Sequence, residues 1–466
     1  MTATSFATPH PGRILAIILI SYLMIILDVS IVITGLPRIR DELGFAPPEL
    51  GWIQSIYTLT FGGFLMLGAR AGDILGRRRT FQIGLGVFTL ASVAIGVAQS
   101  AAWMITARGI QGVGAAILAP STLALLSVSF AEGRARNRAT AWYGSTAGIG
   151  ASIGLVLGGI LADTISWRVG FFINLPIGIA MAALGSRYID ETARTPGRFD
   201  LPGAIGSTLG FGTLIYGIVQ IAERGWRDPV TLAALSGGGV LIALFTWHEA
   251  RTRQPIMPLR LFADRARVGA YGARFLYLGA MVGFFFFGTQ VMQEMEGFSA
   301  FQAGLGFLPM TLVNFAVAMG VPRLTERMGH ARLMLLGIGV TFAGMLWLSL
   351  VQAGSGYLTG IALPMVLIGA GQGFCFGPMT AAGIAGTAPR DAGAAAGLVN
   401  VAHQIGASFG LSLLVAIAAL ASGGMPVGAA RMARGAEAAF GAGSVLLLLA
   451  FVVALVLIPR RIAPVA

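Results

Sequence analysis

The chain has 466 residues, 56% of them hydrophobic and 11% charged, and a mean hydropathy of +0.81. A water-soluble chain carries about 25% charged residues, so this one lacks the polar groups to cover a water-facing surface, and a large soluble domain is excluded. Its net charge of +12 comes wholly from arginine, and the arginines sit in short gaps between apolar runs, which excludes a nucleic-acid surface.

A membrane helix needs about 20 mostly apolar residues. Broken at its charged and turn-rich gaps, the sequence predicts fourteen spans: 14–36, 50–69, 80–99, 102–127, 139–161, 170–187, 201–221, 230–247, 270–292, 301–321, 333–351, 357–377, 394–420 and 439–458. The first is too long for the apolar region of a signal peptide and is read as a span. It holds Asp28, the only carboxylate inside a span on this map, with Ser21 and Gly35 on the same face one heptad away. The fourth holds Arg108, the only arginine well inside a span, with Gln111, Gly112 and Ala115 on its face. In the fifth, Gly150, Gly154, Gly158 and Gly159 make a flat face suited to close helix packing. The ninth contains Phe284 to Phe287 and closes on Gln290, Gln293, Glu294 and Glu296. The thirteenth carries Asn400, His403 and Gln404 on one side.

Arginine placement sets orientation. With the N-terminus cytoplasmic, 22 arginines fall in cytoplasmic gaps and seven in outer gaps, while the acids divide evenly. Both termini are therefore expected in the cytoplasm. Sliding the chain by 253 residues places Asp41 on Glu294, Gly44 on Gly297, Asp73 on Glu326, Gly76 on Gly329 and Gly84 on Gly337. The predicted organisation is a six-helix bundle at 1–190, a linker with two extra helices at 191–267, and a second six-helix bundle at 268–466. Transporters built from such repeats hold substrate at the repeat interface near the bilayer midplane.

Gly68 to Arg79, with Asp73, Gly76 and Arg77 followed by Arg78, resembles the signature loop of the major facilitator superfamily. Arg108 to Gly114 is similar to its membrane-arginine motif, and Gly150 to Gly159 to its antiporter motif, with Leu155 where that motif has proline. Leu27, Asp28, Ser30, Leu36 and Pro37 resemble the first-span motif of the fourteen-helix drug:proton antiporter branch. So do Trp167, Arg168, Phe172, Asn174, Pro176 and Gly178, and also Thr289, Gln290, Gln293, Gly297 and Ser299. The resemblance covers nearly the whole chain. It implies an all-α membrane fold, proton coupling through Arg108, and a conformational latch between the halves at Asp73, Gly76 and Arg77. For the glycines of the fifth span it implies an antiporter role.

Each residue also has a plainer reading. Asp28 is either a proton carrier whose solvation alternates or the acceptor of a structural hydrogen bond. Arg108 either couples protons or braces a facing helix. Arg77 to Arg79 also fix topology, and the glycines also serve ordinary packing. Candidate substrate-cavity residues are Gln111, Gln290, Gln293, Asn400, His403 and Gln404. The expected function is proton-coupled efflux of lipophilic or amphipathic small molecules across a bacterial cytoplasmic membrane, by a monomer in a lipid bilayer. A dedicated metabolite exporter or a proton symporter is the alternative. No phosphate-binding loop exists to drive transport with ATP. No paired acids or nucleophile constellation points to an enzyme or a sensor. With one cysteine, Cys375, and four scattered histidines, His10, His248, His330 and His403, no metal or cofactor is expected.

Overall fold

A computed structural model describes residues 10–46, 49–130, 134–192, 194, 199–350, 356–387, 392–426 and 428–458. Arg198, Arg390, Arg460 and Arg461, which count toward the arginine bias, lie outside the described residues, as do both chain ends. The first half runs through α1 (Pro11–Leu43), α2 (Trp52–Leu75), α3 (Arg77–Gly96), α4 (Ala101–Ser129), α5 (Arg134–Thr164) and a broken rod, α6 (Trp167–Phe172) with α7 (Asn174–Tyr188). A hairpin follows, α8 (Leu201–Arg224) and α9 (Pro229–Arg251). The second half holds α10 (Arg265–Gln290), a broken rod of α11 (Ala300–Gly306) and α12 (Leu308–Met328), then α13 (His330–Leu348), α14 (Leu363–Ile384), α15 (Ala392–Ala421) and α16 (Ala429–Leu457).

Each of the fourteen predicted runs falls on one helical rod, but the count of fourteen crossings is narrowed. Among the described residues, twelve helices are long and apolar enough to cross a membrane. The rods of α2 and α5 are the exceptions. In α2, Gln54, Ser55, Tyr57, Thr58 and Thr60 dilute the hydropathy, yet all five are buried inside the bundle. In α5 only Ile153–Thr164 is counted, as a shorter apolar helix.

The repeat read in the sequence has a backbone counterpart. Gly44 and Gly297 end their helical segments with φ of +69° and +70°, and Gly76 and Gly329 open α3 and α13 with φ of +99° and +78°. These are left-handed values that favour glycine. Packing repeats too: α1 lies on α5 as α10 lies on α15, and α3 lies on α4 as α13 lies on α14. Gly84 abuts the Leu118 backbone, while its counterpart Gly337 abuts Gly371 and Cys375.

The halves meet through α2 with α15 and through α5 with α11. Along α2, Gly51 meets Val415, Gly62 meets Gln404 and Ile405, and Met66 meets Gly397. In the first turn of α2, the Ser408 hydroxyl donates to the Ser55 carbonyl at 2.8 Å, and the Ser55 hydroxyl lies 3.1 Å from that of Ser412. The hairpin of α8 and α9 packs outside this seam, where α8 touches both α2 and α15.

Polar ties between the halves gather at one end of the bundle, the end carrying Arg40. Arg40 donates to Glu294 at 2.5 Å, and Gln293 donates to the Thr34 carbonyl at 3.1 Å. Asp163 accepts the backbone N–H groups of Ala300 (3.2 Å) and Phe301 (2.8 Å), and also pairs with Arg38 at 3.2 Å. Asp163 thus satisfies the first donors of α11, which otherwise have no partner inside that helix.

Candidate functional site: a buried ion pair in the first half

Asp28 on α1 and Arg108 on α4 meet in the middle of the first half. Their side chains are 2.6 Å apart and fully buried. Two charges taken out of water are tolerated only when paired and fully hydrogen-bonded, and the surroundings of this pair supply most of that. Arg108 donates through Nε to the Ile53 carbonyl at 3.1 Å, and through one terminal nitrogen to Asp28 and to Gln111, both at 2.6 Å. Its other terminal nitrogen, NH2, has no hydrogen-bond partner, and the guanidinium carbon lies 4.3 Å from the centre of the Tyr57 ring. A ring face there attracts the cation.

Asp28 gains two further donors. Gln111 reaches its Oδ1 at 2.7 Å and Asn174 reaches the same oxygen at 3.2 Å. Both amides also donate to the Ser92 hydroxyl, at 2.8 and 3.2 Å, which itself donates to the Phe88 carbonyl at 2.8 Å. That back-bond leaves the Ser92 lone pairs free for the two amides. Asn174 stands at the first position of α7, so the break between α6 and α7 is what turns it inward. Five helices, α1, α2, α3, α4 and α7, therefore meet in one network around the pair, with α4 and α7 donating to the carboxylate itself.

The face of α1 that Ser21 and Gly35 share with Asp28 is buried. Gly35 packs against Trp167 rather than facing open space, while Ser21 is buried with no hydrogen-bond partner for its hydroxyl.

The six cavity candidates separate. Gln111 is corrected: it is fully buried in the Asp28 network and belongs to the ion pair. Gln290 is buried and donates to the Phe286 carbonyl one turn back. Gln293 ties α10 to α1 at Thr34. On α15, Asn400 is exposed and Gln404 lies against Gly62 of α2. His403 accepts through Nδ1 from Arg274 at 3.1 Å and stacks on Phe376.

Arg274 corrects the reading of Arg108 as the lone interior arginine. Because α10 begins at Arg265, Arg274 lies more than two turns inside it, 9% exposed, bonded to Thr380 at 2.9 Å and placed over the Phe376 ring. Asn174, Ser92 and Tyr57 were also missed as site residues. Asn174 had a signal in the motif around it, whereas nothing in the sequence distinguishes Ser92 or Tyr57 from other span residues.

At the opposite end of the bundle, Asp73 lies 3.6 Å from Arg77 and 3.8 Å from Arg70. Arg77 also donates to the Ala124 carbonyl at 2.9 Å, and Glu191 accepts the backbone N–H groups of Arg78 and Arg79 at 3.0 and 3.1 Å. Glu191 so caps α3, whose positive end favours a carboxylate. Among the described residues, Asp73 makes no ion pair with the second half. The four glycines of α5 face neighbours closely: Gly150, Gly154 and Gly158 lie on α1, and Gly159 lies on Ala300 and Phe301 of α11. Leu155 is buried in the same seam, with its carbonyl against Gly304.

Comparison with known proteins agrees with this architecture. A family model described as the Major Facilitator Superfamily matches residues 18–411. The cephamycin export protein CmcT of Amycolatopsis lactamdurans is 40% identical, over 87% of this chain and 85% of its own. The puromycin resistance protein pur8 of Streptomyces alboniger is 35% identical, over 87% of this chain and 82% of its own. Among solved structures, a bacterial homologue of the human lysosomal transporter Spinster, inward-facing and unoccupied, superposes with a TM-score of 0.71 at 15% identity, covering 98% of this chain and 99% of that one.

Proposed function

The chain belongs to the Major Facilitator Superfamily, and from that premise we propose that it is a proton-coupled exporter of lipophilic or amphipathic small molecules. The family and the similar proteins are transporters rather than enzymes. The observation that carries the coupling is the fully buried Asp28–Arg108 pair. With Asp28 ionised, Arg108, Gln111 and Asn174 all point at it. A proton delivered to Asp28 cancels its attraction for Arg108, so the guanidinium and the two amides must find other acceptors. Five helices share those bonds, and a change of one proton is felt by all of them.

Alternating access follows from rocking of the two halves. With the arginine-rich Arg77 end in the cytoplasm, the ties of Arg40, Gln293 and Asp163 close the outer side. The protein then awaits substrate from within. The second half offers Arg274 and His403 near the seam, and the only buried acid among the described residues of the first half, Asp28, is already paired. That balance favours neutral or anionic amphipathic compounds and disfavours dications.

A second reading, export of one dedicated compound, is supported by the similar proteins whose names specify a single antibiotic. The test uses inverted membrane vesicles holding an acid-inside pH gradient reported by a fluorescent dye. Candidate compounds are added one at a time to wild type and to Asp28→Asn. We predict that at least one lipophilic compound releases protons in wild type and not in the variant. Release by the variant equal to wild type removes Asp28 from coupling. Silence of wild type across a broad panel favours the dedicated exporter.

A further inference from the structure

We propose that Asp200, His248 and Glu249 form a binding site for a divalent transition-metal ion of the zinc class, where the α8–α9 hairpin joins the linker between the halves. One donor atom from each residue lies within 4.8 Å of the others. Asp200 caps the start of α8 and the other two residues end α9, so the hairpin itself brings them together.

The two acids each keep one open oxygen. Asp200 accepts the Gly203 N–H through Oδ1 at 3.0 Å, and the same oxygen is 2.8 Å from His248 Nε2. Its Oδ2 has no hydrogen-bond partner, although the residue is 7% exposed. Glu249, 2% exposed, accepts the Met257 N–H at 2.6 Å through one oxygen, and its Oε1 has no partner. Two buried carboxylate oxygens therefore face one region without a donor. A β-carbon at Gly203 would stand 2.5 Å from Glu249 Oε1 and 2.6 Å from Asp200 Oδ2, so only glycine there leaves the oxygens room to converge.

Like charges buried side by side need a proton or a cation between them. A shared proton satisfies the two open carboxylate oxygens and leaves the imidazole on Asp200 Oδ1 alone. A zinc-class ion takes carboxylate oxygen and imidazole nitrogen together and accepts three protein donors with a fourth position left over. His248 is about one-third exposed, which gives the ion a path in. The neighbouring cation is turned away, because Arg251 stacks on the Trp247 ring at 4.2 Å. Bound there, the ion fastens the start of α8, the end of α9 and the Met257 segment leading to α10.

The full-length protein, purified in detergent with a tag free of histidine, is dialysed against zinc chloride and its metal content measured. We expect one zinc per chain, with affinity at least about tenfold weaker in His248→Ala and Glu249→Gln. Histidine modification by diethylpyrocarbonate, read by peptide mass spectrometry on the wild type, supplies a readout that needs no variant. Zinc should protect His248 and leave His10 and His330 reactive. No stoichiometric zinc in the wild type, full affinity in His248→Ala, or unprotected His248 would each overturn the site. The first of these leaves a proton shared by the two acids.

Discussion

Arg108 has carbonyl, carboxylate, amide and ring partners at once, and that variety makes it hard to replace. Lysine is a point charge and cannot reproduce the fork. Removing one member of a buried pair leaves the other uncompensated, at a cost of about 3–5 kcal/mol. We predict that Arg108→Gln alone lowers the melting temperature in detergent markedly, and that adding Asp28→Asn restores part of the loss, because no lone charge then remains. A double variant that melts below Arg108→Gln would sink this account. The two charges were legible in the sequence because charge is rare in an apolar run. Their contact was not, since helical spacing gives the face of a residue but not the neighbour across from it. Gln111 was misread for that reason: its place three residues from Arg108 was visible, while the burial of that face was not. Arg274 was overlooked because the start of its span was placed too late.

The helices were read well as rods and less well as shapes. Hydropathy finds where a chain must leave water, so every predicted run has a rod. It does not find the breaks at Phe172–Asn174 and Gly306–Leu308, or the π-helical turns Val291–Met295 and Leu358–Ala362. Those depend on side chains met only after packing. The glycines divide in the same way. Gly158 would place a β-carbon against the Ile31 backbone and Thr34, whereas Gly86 has nothing within 4 Å. We predict that Gly158→Ala reduces folded yield and melting temperature. Gly86→Ala, by contrast, should leave both unchanged or slightly raised, since alanine is the better helix former by about 1 kcal/mol. Equal behaviour of the two variants, measured by size-exclusion yield and thermal melting, would remove close α1–α5 packing as the reason for glycine at position 158.

At the scale of the molecule, the polar ties between halves lie mainly at the Arg40 end, and under the proposed rocking motion they hold that end together. Arg40 with Glu294 and Asp163 with the start of α11 are independent of each other, so loosening both should open that end. We predict that Glu294→Gln with Asp163→Asn raises the labelling rate of a cysteine placed at Gln293, in a chain whose buried Cys375 is replaced by serine. An unchanged rate would mean that apolar packing alone holds the end shut. The duplication was readable because glycines with left-handed backbone cannot drift without strain, so Gly44, Gly76, Gly297 and Gly329 kept their spacing. The hairpin's seat against α2 and α15 was not readable, because its lipid-facing and protein-facing sides are both apolar.

The serine contacts between the first turn of α2 and the middle of α15 have a mechanical consequence. The hydroxyls of Ser55 and Ser408 each rest on the other's carbonyl, and these are side-chain bonds, so letting go costs no backbone bond. A serine released from the opposite helix can turn back to a carbonyl of its own turn. The seam can therefore slide or tilt while staying satisfied throughout, as a greased bearing does, and the stiff ties at its rim decide where the motion stops.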